Sequence, residues 1–232
     1  MSDLAHNLTA VRQRIEAAAR QAGLAPDSVM LLAVSKTFPA EAVRAAYAAG
    51  QRAFGENYVQ EAVAKIAALA DLRAALDWHF VGPLQSNKTR PVAEHFDWVH
   101  SVDRLKIAER LSGQRPATLP PLNVCLQVNV SGEASKSGVA PAEAAAVGHA
   151  IAALPRLRLR GLMSIPEPAA TPDAQRAPHR QMRALFDQLR ADGLALDTLS
   201  MGMSSDLEAA VLEGATLVRI GTAIFGTRDY SH

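Results

Sequence analysis

Lys36 closes a short apolar run, Leu31-Leu32-Ala33-Val34-Ser35-Lys36-Thr37, that has the composition of a buried strand. The chain holds only five lysines (36, 65, 88, 106 and 136) against nineteen arginines, so a lysine at this place stands out. A cation at the end of a buried strand costs several kcal/mol unless something there needs it. A desolvated lysine gives up its proton more readily, and the neutral amine attacks carbonyls to form a Schiff base. The alternative is a lysine whose stem packs at the strand end while its ammonium reaches water.

A second cation belongs to the same argument. Leu32, Val34 and Lys36 share one face of their run, as do Leu217, Arg219 and Gly221 of the last apolar run, because strand side chains alternate with a period of two. If the first and last runs are neighbours and both faces point inward, Lys36 and Arg219 share one cavity, an arrangement easiest to explain with an anion between them. If either phase is opposite, Arg219 pairs with a carboxylate elsewhere. Ser204-Ser205-Asp206 precedes the helical pattern Leu207–Leu212 and offers hydroxyl and amide donors to an anion, or simply caps that helix. Gly221-Thr222 follows the last run, where a glycine lets backbone approach a ligand closely.

These residues need a frame that gathers strand ends. β-like runs occur at Leu31–Lys36, Arg52–Asn57, Trp78–Gly82, Trp98–Val102, Asn123–Val130, Leu159–Ile165, Thr198–Met203 and Leu217–Phe225. Helical patterns separate most of them, at Ala40–Ala49, Tyr58–Leu69, Asn87–His95, Asp103–Leu111, Pro141–Ala153, His179–Asp192 and Ser205–Glu213. Alternation of this kind predicts parallel strands and, with eight units in about 200 residues, a single α/β domain over residues 1–232 built as a (β/α)8 TIM-like barrel. Its active face lies at the carboxyl ends of the strands, and the loops after the seventh and eighth are a frequent phosphate site. Too few residues follow the eighth run for a full helix. An extra N-terminal helix, carrying Leu4, Leu8, Val11 and Ile15 at helical spacing, is expected to cover that sector. Pro166–Pro178 reads as a long loop on the active face. Arg156, Arg158 and Arg160 read as a solvated strand edge.

Composition narrows the function classes. A net charge of +1 with 20% charged residues carries no basic or acidic excess for a nucleic-acid or membrane partner. Cys125 is the sole cysteine, which rules out an intramolecular disulfide and fits a reducing compartment, so a cytoplasmic protein is expected. No apolar stretch approaches the roughly 20 residues of a membrane helix. The seven histidines form no metal-ligating motif, there is no GxSxG elbow, and Gly132–Gly138 lacks the ending of a P-loop. His79 reads as a core histidine.

Taken together, the segments Ala33-Val34-Ser35-Lys36-Thr37, Phe54-Gly55-Glu56-Asn57-Tyr58-Val59-Gln60-Glu61, Trp78-His79-Phe80-Val81-Gly82-Pro83-Leu84-Gln85-Ser86-Asn87-Lys88, Gln127-Val128-Asn129, Gly161-Leu162-Met163-Ser164-Ile165-Pro166, Leu199-Ser200-Met201-Gly202-Met203-Ser204-Ser205-Asp206 and Arg219-Ile220-Gly221-Thr222 resemble the pyridoxal phosphate homeostasis protein family. The match runs from about Leu31 to Gly226. The resemblance implies the fold type III barrel of the alanine racemase amino-terminal domain and the cofactor pyridoxal 5'-phosphate (PLP), held as a Schiff base on Lys36. It implies that Ser204, Gly221 and Thr222 hold the phosphate, with Ser200 and Met201 lining the same end. Arg219 would face the pyridine nitrogen, and Asn57 would lie near the ring.

The same resemblance bears on activity. Racemases of this type use a second domain and a tyrosine from a partner subunit. The chain ends at His232 without room for that domain, and Tyr230 is a poor substitute. The expectation is a non-enzymatic monomer that buffers PLP or delivers it to apo-enzymes. A weak PLP-dependent amino-acid racemase is the alternative, and a Schiff-base aldolase for sugar phosphates is a third reading. Lys88 and Lys136 lie in strand-end loops as conceivable second attachment points.

Overall fold

The computed structural model describes residues 3–132 and 137–227. Eight parallel strands, β1 (Met30–Val34), β2 (Ala53–Glu56), β3 (Asp77–Phe80), β4 (Trp98–Val102), β5 (Leu122–Gln127), β6 (Leu157–Met163), β7 (Thr198–Ser200) and β8 (Leu217–Ile220), close into a barrel in chain order. The expected (β/α)8 barrel is therefore present. The closing pair sets Leu32 opposite Arg219 and Ala33 opposite Ile220, so Arg219 and the inward set of β1 share a face.

Helices α1 (Asp3–Gln21), α2 (Ala40–Ala48), α3 (Val59–Ala68), α4 (Thr89–His95), α5 (Leu105–Gln114), α6 (Ala144–Ala152), α7 (Pro172–Ala191) and α8 (Leu207–Leu212) surround the sheet, and a one-turn helix α9 (Thr222–Phe225) follows β8. The main apolar core is the annulus between sheet and helices, where Phe54, Trp78, Phe80 and Phe96 are fully buried. Inside the barrel the apolar side chains form only a small cluster, Leu32, Val34, Ala53, Val81 and Leu217. Much of the rest of the interior is left to polar groups, among them His79, His100, Ser200 and Arg219.

The amino-terminal helix occupies the sector without a full crossover helix, packing on α2, α8 and α9. Its polar residues tie down two loops of the active face. Arg14 forks onto Glu208 at 2.7 and 3.0 Å and donates to the Ser204 carbonyl at 3.2 Å, while Asn7 donates to the Ile224 carbonyl at 3.0 Å.

Three expectations need correction. The loop placed at Pro166–Pro178 is half helix: α7 starts at Pro172, with the Thr171 hydroxyl accepting from the Ala174 amide at 3.3 Å, and it runs through Pro178. Proline at the first helical position is favourable, and one near the start of a long helix removes a single backbone bond. The run ending at Phe225 stops being a strand at Ile220, because Gly221 turns the chain into α9. Arg156 and Arg160 are engaged rather than solvated. Arg156 donates to the Pro116 and Leu119 carbonyls, and Arg160 grips Asp197 at 2.6 Å while lying over the Trp98 ring.

Gly161 shows how tightly β6 and β7 meet, since a Cβ there would fall 1.6 Å from the Thr198 carbonyl oxygen. Backbone cannot yield as a flexible side chain does. Gly161→Ala should therefore lower unfolding free energy by about 3 kcal/mol or more, measured by urea denaturation; a loss below about 1 kcal/mol would show that the two strands separate easily.

Candidate functional site

A cavity of about 440 Å³ opens at the carboxyl ends of β8, β1 and β2. Lys36 and Arg219 both line it, together with Asn57, Ser204, Gly221 and Thr222. Among the described residues its wall holds two cationic side chains and no carboxylate, with Ser205 adding a further hydroxyl. Val34, Val81 and Ile165 supply the apolar part. A second cavity, of about 350 Å³, lies near the amino ends of β1 and β2, but its lining mixes Arg12 and Arg52 with Glu16, Asp27 and Asp77 and has no anion bias.

Lys36 sits two residues beyond β1, on a turn braced from outside the barrel. Ser35 donates to Glu56 Oε1 at 2.6 Å, and Lys65 of α3 donates to the Ser35 carbonyl at 2.8 Å. Lys65 also bridges Glu56 and Glu61, at 2.5 and 3.0 Å. Glu61 in turn accepts from the Thr37 amide at 2.6 Å. Thr37 has φ 67°, a left-handed conformation that a β-branched residue adopts only when its surroundings impose it. Burial pushes the Glu56 carboxyl up, although Lys65 and Ser35 pull it the other way. This brace was not foreseen; the Glu61–Lys65 spacing of four, next to Glu56, was the available signal.

Arg219 lies at the floor of the cavity, and no carboxylate among the described residues is bonded to it. It donates to Ser200 Oγ at 2.7 Å and to the Ser164 carbonyl at 2.8 Å. Burial lowers its pKa to about 10 against a partial lift from Asp206, so it stays charged at neutral pH. Behind it, Ser200 Oγ meets His100 Nδ1 at 2.8 Å and His100 Nε2 meets His79 Nδ1 at 2.9 Å. Burial holds His79 at about 3 and His100 well below its ordinary value, with His79 and Arg219 adding to the latter. His79 is thus a core histidine, paired with a partner, His100, that no motif announced.

The loops after β7 and β8 complete the wall. Asp206 turns away from the cavity, accepting from the Met203 amide at 2.7 Å and pairing with His179 at 2.9 Å, and it makes no capping bond to α8. Burial pushes its carboxyl up, but His179, Met203 and Arg219 together bring it below the usual range. That leaves Ser204 and Ser205 facing the cavity. A Cβ on Gly221 would lie 3.1 Å from the Val34 carbonyl, so this loop runs close along β1. Gly82 serves a similar purpose, since a Cβ there would fall 2.3 Å from the Asn57 carbonyl.

The structure thus brings Lys36, Asn57, Ser204, Arg219, Gly221 and Thr222 to one cavity. Ser200 and Met201 do not line it. Ser200 faces the interior but is covered by Arg219, and Met201 alternates outward into the annular core. Lys88 also lies off the cavity wall, whereas Lys136 and Tyr230 fall outside the described residues. Asn57 Oδ1 and Ser164 Oγ are buried without hydrogen-bond partners among the described residues. Two cations, several hydroxyls and an unsatisfied acceptor suit a phosphorylated, ring-bearing aldehyde such as PLP.

The family described as alanine racemase, N-terminal domain, matches residues 4–229. A pyridoxal phosphate homeostasis protein of Pseudomonas aeruginosa is 66% identical over 230 residues, covering 99% of this chain and 98% of its own. The chain belongs to that family. Within the family, the structure of PipY from Synechococcus elongatus, solved with PLP bound, is 44% identical with a TM-score of 0.84, covering 96% of this chain and 100% of its own. Beyond it, alanine racemase from Corynebacterium glutamicum matches 95% of this chain and 62% of its own at a TM-score of 0.70. At 19% identity that likeness establishes the shared barrel alone.

The two neutral histidines set a pH dependence. Their folded pKa values lie below the unfolded 6.5, so the stability they confer is complete above 6.5 and is lost as pH falls from there toward about 3 for His79. The raised Glu56 works in the opposite sense but is a single group. Urea unfolding at pH 7, 6 and 5 should show stability falling by up to about 1.4 kcal/mol per pH unit for each histidine below that value. A profile that is flat or rises toward pH 5 would contradict the buried neutral pair.

Proposed function

We propose that this protein binds PLP at the mouth of the barrel and holds it for delivery, with Lys36 as its covalent attachment point. The observation that carries the reading is the cavity wall with Lys36 and Arg219 as its only charged side chains among the described residues, shaped for an anion and set at a lysine. The relative that was solved with PLP bound, and those named for pyridoxal phosphate homeostasis, support the same ligand.

Each residue then has a role. Ser204, Thr222 and the Gly221 backbone receive the phosphate at the end of the cavity tied down by α1. Asn57 and the apolar Val34, Val81 and Ile165 lie against the ring, and Arg219 faces its nitrogen. PLP supplies an aldehyde that a lysine amine captures and a ring that withdraws electrons. The charged Arg219 opposes a proton on the ring nitrogen and so weakens that withdrawal, which favours carriage over catalysis. Among the described residues that line the cavity there is no carboxylate, histidine or tyrosine to serve as a second acid or base. The racemase alternative is left with the shared barrel, and a barrel alone does not carry an activity.

The wider reading is a single-domain carrier in the cytoplasm, a monomer whose recipients are PLP-dependent apo-enzymes. The lone thiol fits a reducing compartment, since Cys125 is buried and pushed up to about 12. Among the described residues no helix is long and apolar enough to cross a membrane.

The absorbance of purified protein mixed with PLP tests the site directly. Wild type should turn yellow, and borohydride should fix the adduct on the peptide carrying Lys36, while Lys36→Ala should lose the band. Identical spectra for both proteins would sink the assignment. Turnover of alanine or serine at rates typical of enzymes, about 1 per second or more, would overturn the carrier reading while leaving the binding site intact.

A further inference from the structure

We propose that Ser200, His100 and His79 form an uncharged hydrogen-bond relay that positions Arg219 and leaves its full positive charge to the ligand. The role rests on the reading that an anionic, PLP-like ligand meets Arg219 in the cavity.

The direction of every bond in the relay is set by its first member. A guanidinium only donates, so Ser200 Oγ is the acceptor for Arg219 Nη1 at 2.7 Å. The one proton of Ser200 is then directed to His100 Nδ1 at 2.8 Å, which must be the bare, accepting nitrogen. His100 therefore carries its proton on Nε2 and donates it to His79 Nδ1 at 2.9 Å. His79, stacked on Trp98 at 5.2 Å and 7°, is left with its proton on Nε2. The chain crosses the barrel from β8 through β7 and β4 to β3, and each bond polarises the next so that the acceptor facing Arg219 is strengthened.

A carboxylate in place of Ser200 would hold the guanidinium as well, but it would also neutralise it. The acid that influences Arg219, Asp206, is engaged by His179 and the Met203 amide instead. A proton added to either histidine would reverse the donor order and place a second cation beside Arg219. The groups facing His100 are His79 on β3, Ser200 on β7, Arg219 on β8 and the Trp98 ring on β4. None of them is an anion that would favour the charged imidazole, and burial keeps both rings neutral. Ser200, His100 and His79 are thus positioning residues that touch no ligand themselves.

Two measurements test the relay. In the ligand-free wild type, nitrogen-15 spectra of the histidine rings should show His79 and His100 as neutral Nε2–H tautomers throughout the range in which exposed histidines titrate. An Nδ1–H tautomer, or a charged ring, in either would overturn the relay without recourse to any variant. Binding of PLP is then compared among wild type, Ser200→Ala, Ser200→Thr and Ser200→Asp, with far-ultraviolet dichroism confirming the fold. Ser200→Asp should weaken binding at least tenfold and shift the absorption maximum of bound PLP and its pH profile. Ser200→Thr, which keeps the hydroxyl, should restore both, and Ser200→Ala should fall between. Wild-type binding that survives Ser200→Asp unchanged would overturn the relay alone. A wild type with no affinity for PLP would instead overturn the binding reading on which the relay's role depends.

Discussion

The polar interior of the barrel is arranged around the burial of one cation, Arg219. Taking a guanidinium out of water costs several kcal/mol unless its donors are met. Arg219 meets that demand with a serine hydroxyl and a backbone carbonyl. The choice of neutral acceptors has consequences for the whole interior. Where barrels of this type are usually filled by branched apolar side chains, here the apolar cluster is small and a file of polar residues from four strands runs across. The apolar burial that supports the fold lies instead in the outer annulus, which frees the interior for chemistry.

The other cation is held by a different framework. Lys36 depends on a buried ion-pair cluster between β2 and α3, outside the barrel wall, that grips the turn on either side of it. Arg219 is held from within and Lys36 from without, so their frameworks are separate although both face one cavity. The anion-facing loops have a third support in α1, which reaches the loop after β7 through Arg14 and α9 through Asn7. The extra helix thus closes the barrel's outer layer and also fixes the two loops that we propose receive a phosphate.

The relation to the racemase barrel is one of scaffold. A barrel that presents a lysine after its first strand and an arginine on its last suits PLP, and the chemistry open to such a site depends on which proton-transfer groups stand beside it. Among the described residues, the cavity wall of this chain offers a cation without a bonded carboxylate and an asparagine. Under the proposed reading, such a site favours retention of the ligand over abstraction of protons from it. The carrier reading therefore rests on the charges around the cavity.

Local patterning carried the architecture and the two cations, because strand alternation and the strand–helix rhythm are properties of neighbouring residues. The shared inward phase of Val34, Lys36, Arg219 and Gly221 was legible from period-two spacing, and register at the β1–β8 seam agrees with it. Element ends were less legible. Pro178 read as the end of a loop although the helix already runs through it, and Gly221 ended a strand whose apolar composition continued to Phe225. Family resemblance named Ser200 for the ligand, yet only the folded barrel shows it behind Arg219 and hydrogen-bonded to His100. Ser200 and His100 are a hundred residues apart. Nothing in the local pattern marked Glu56 and Lys65 as partners; the packing of α3 buries them beneath the Lys36 turn. The sequence by itself determined which residues could supply a cationic, phosphate-accepting site on a barrel. Tertiary structure decided which of them face the cavity and which support those that do, because hydrogen bonds between distant strands leave no periodic trace along the chain.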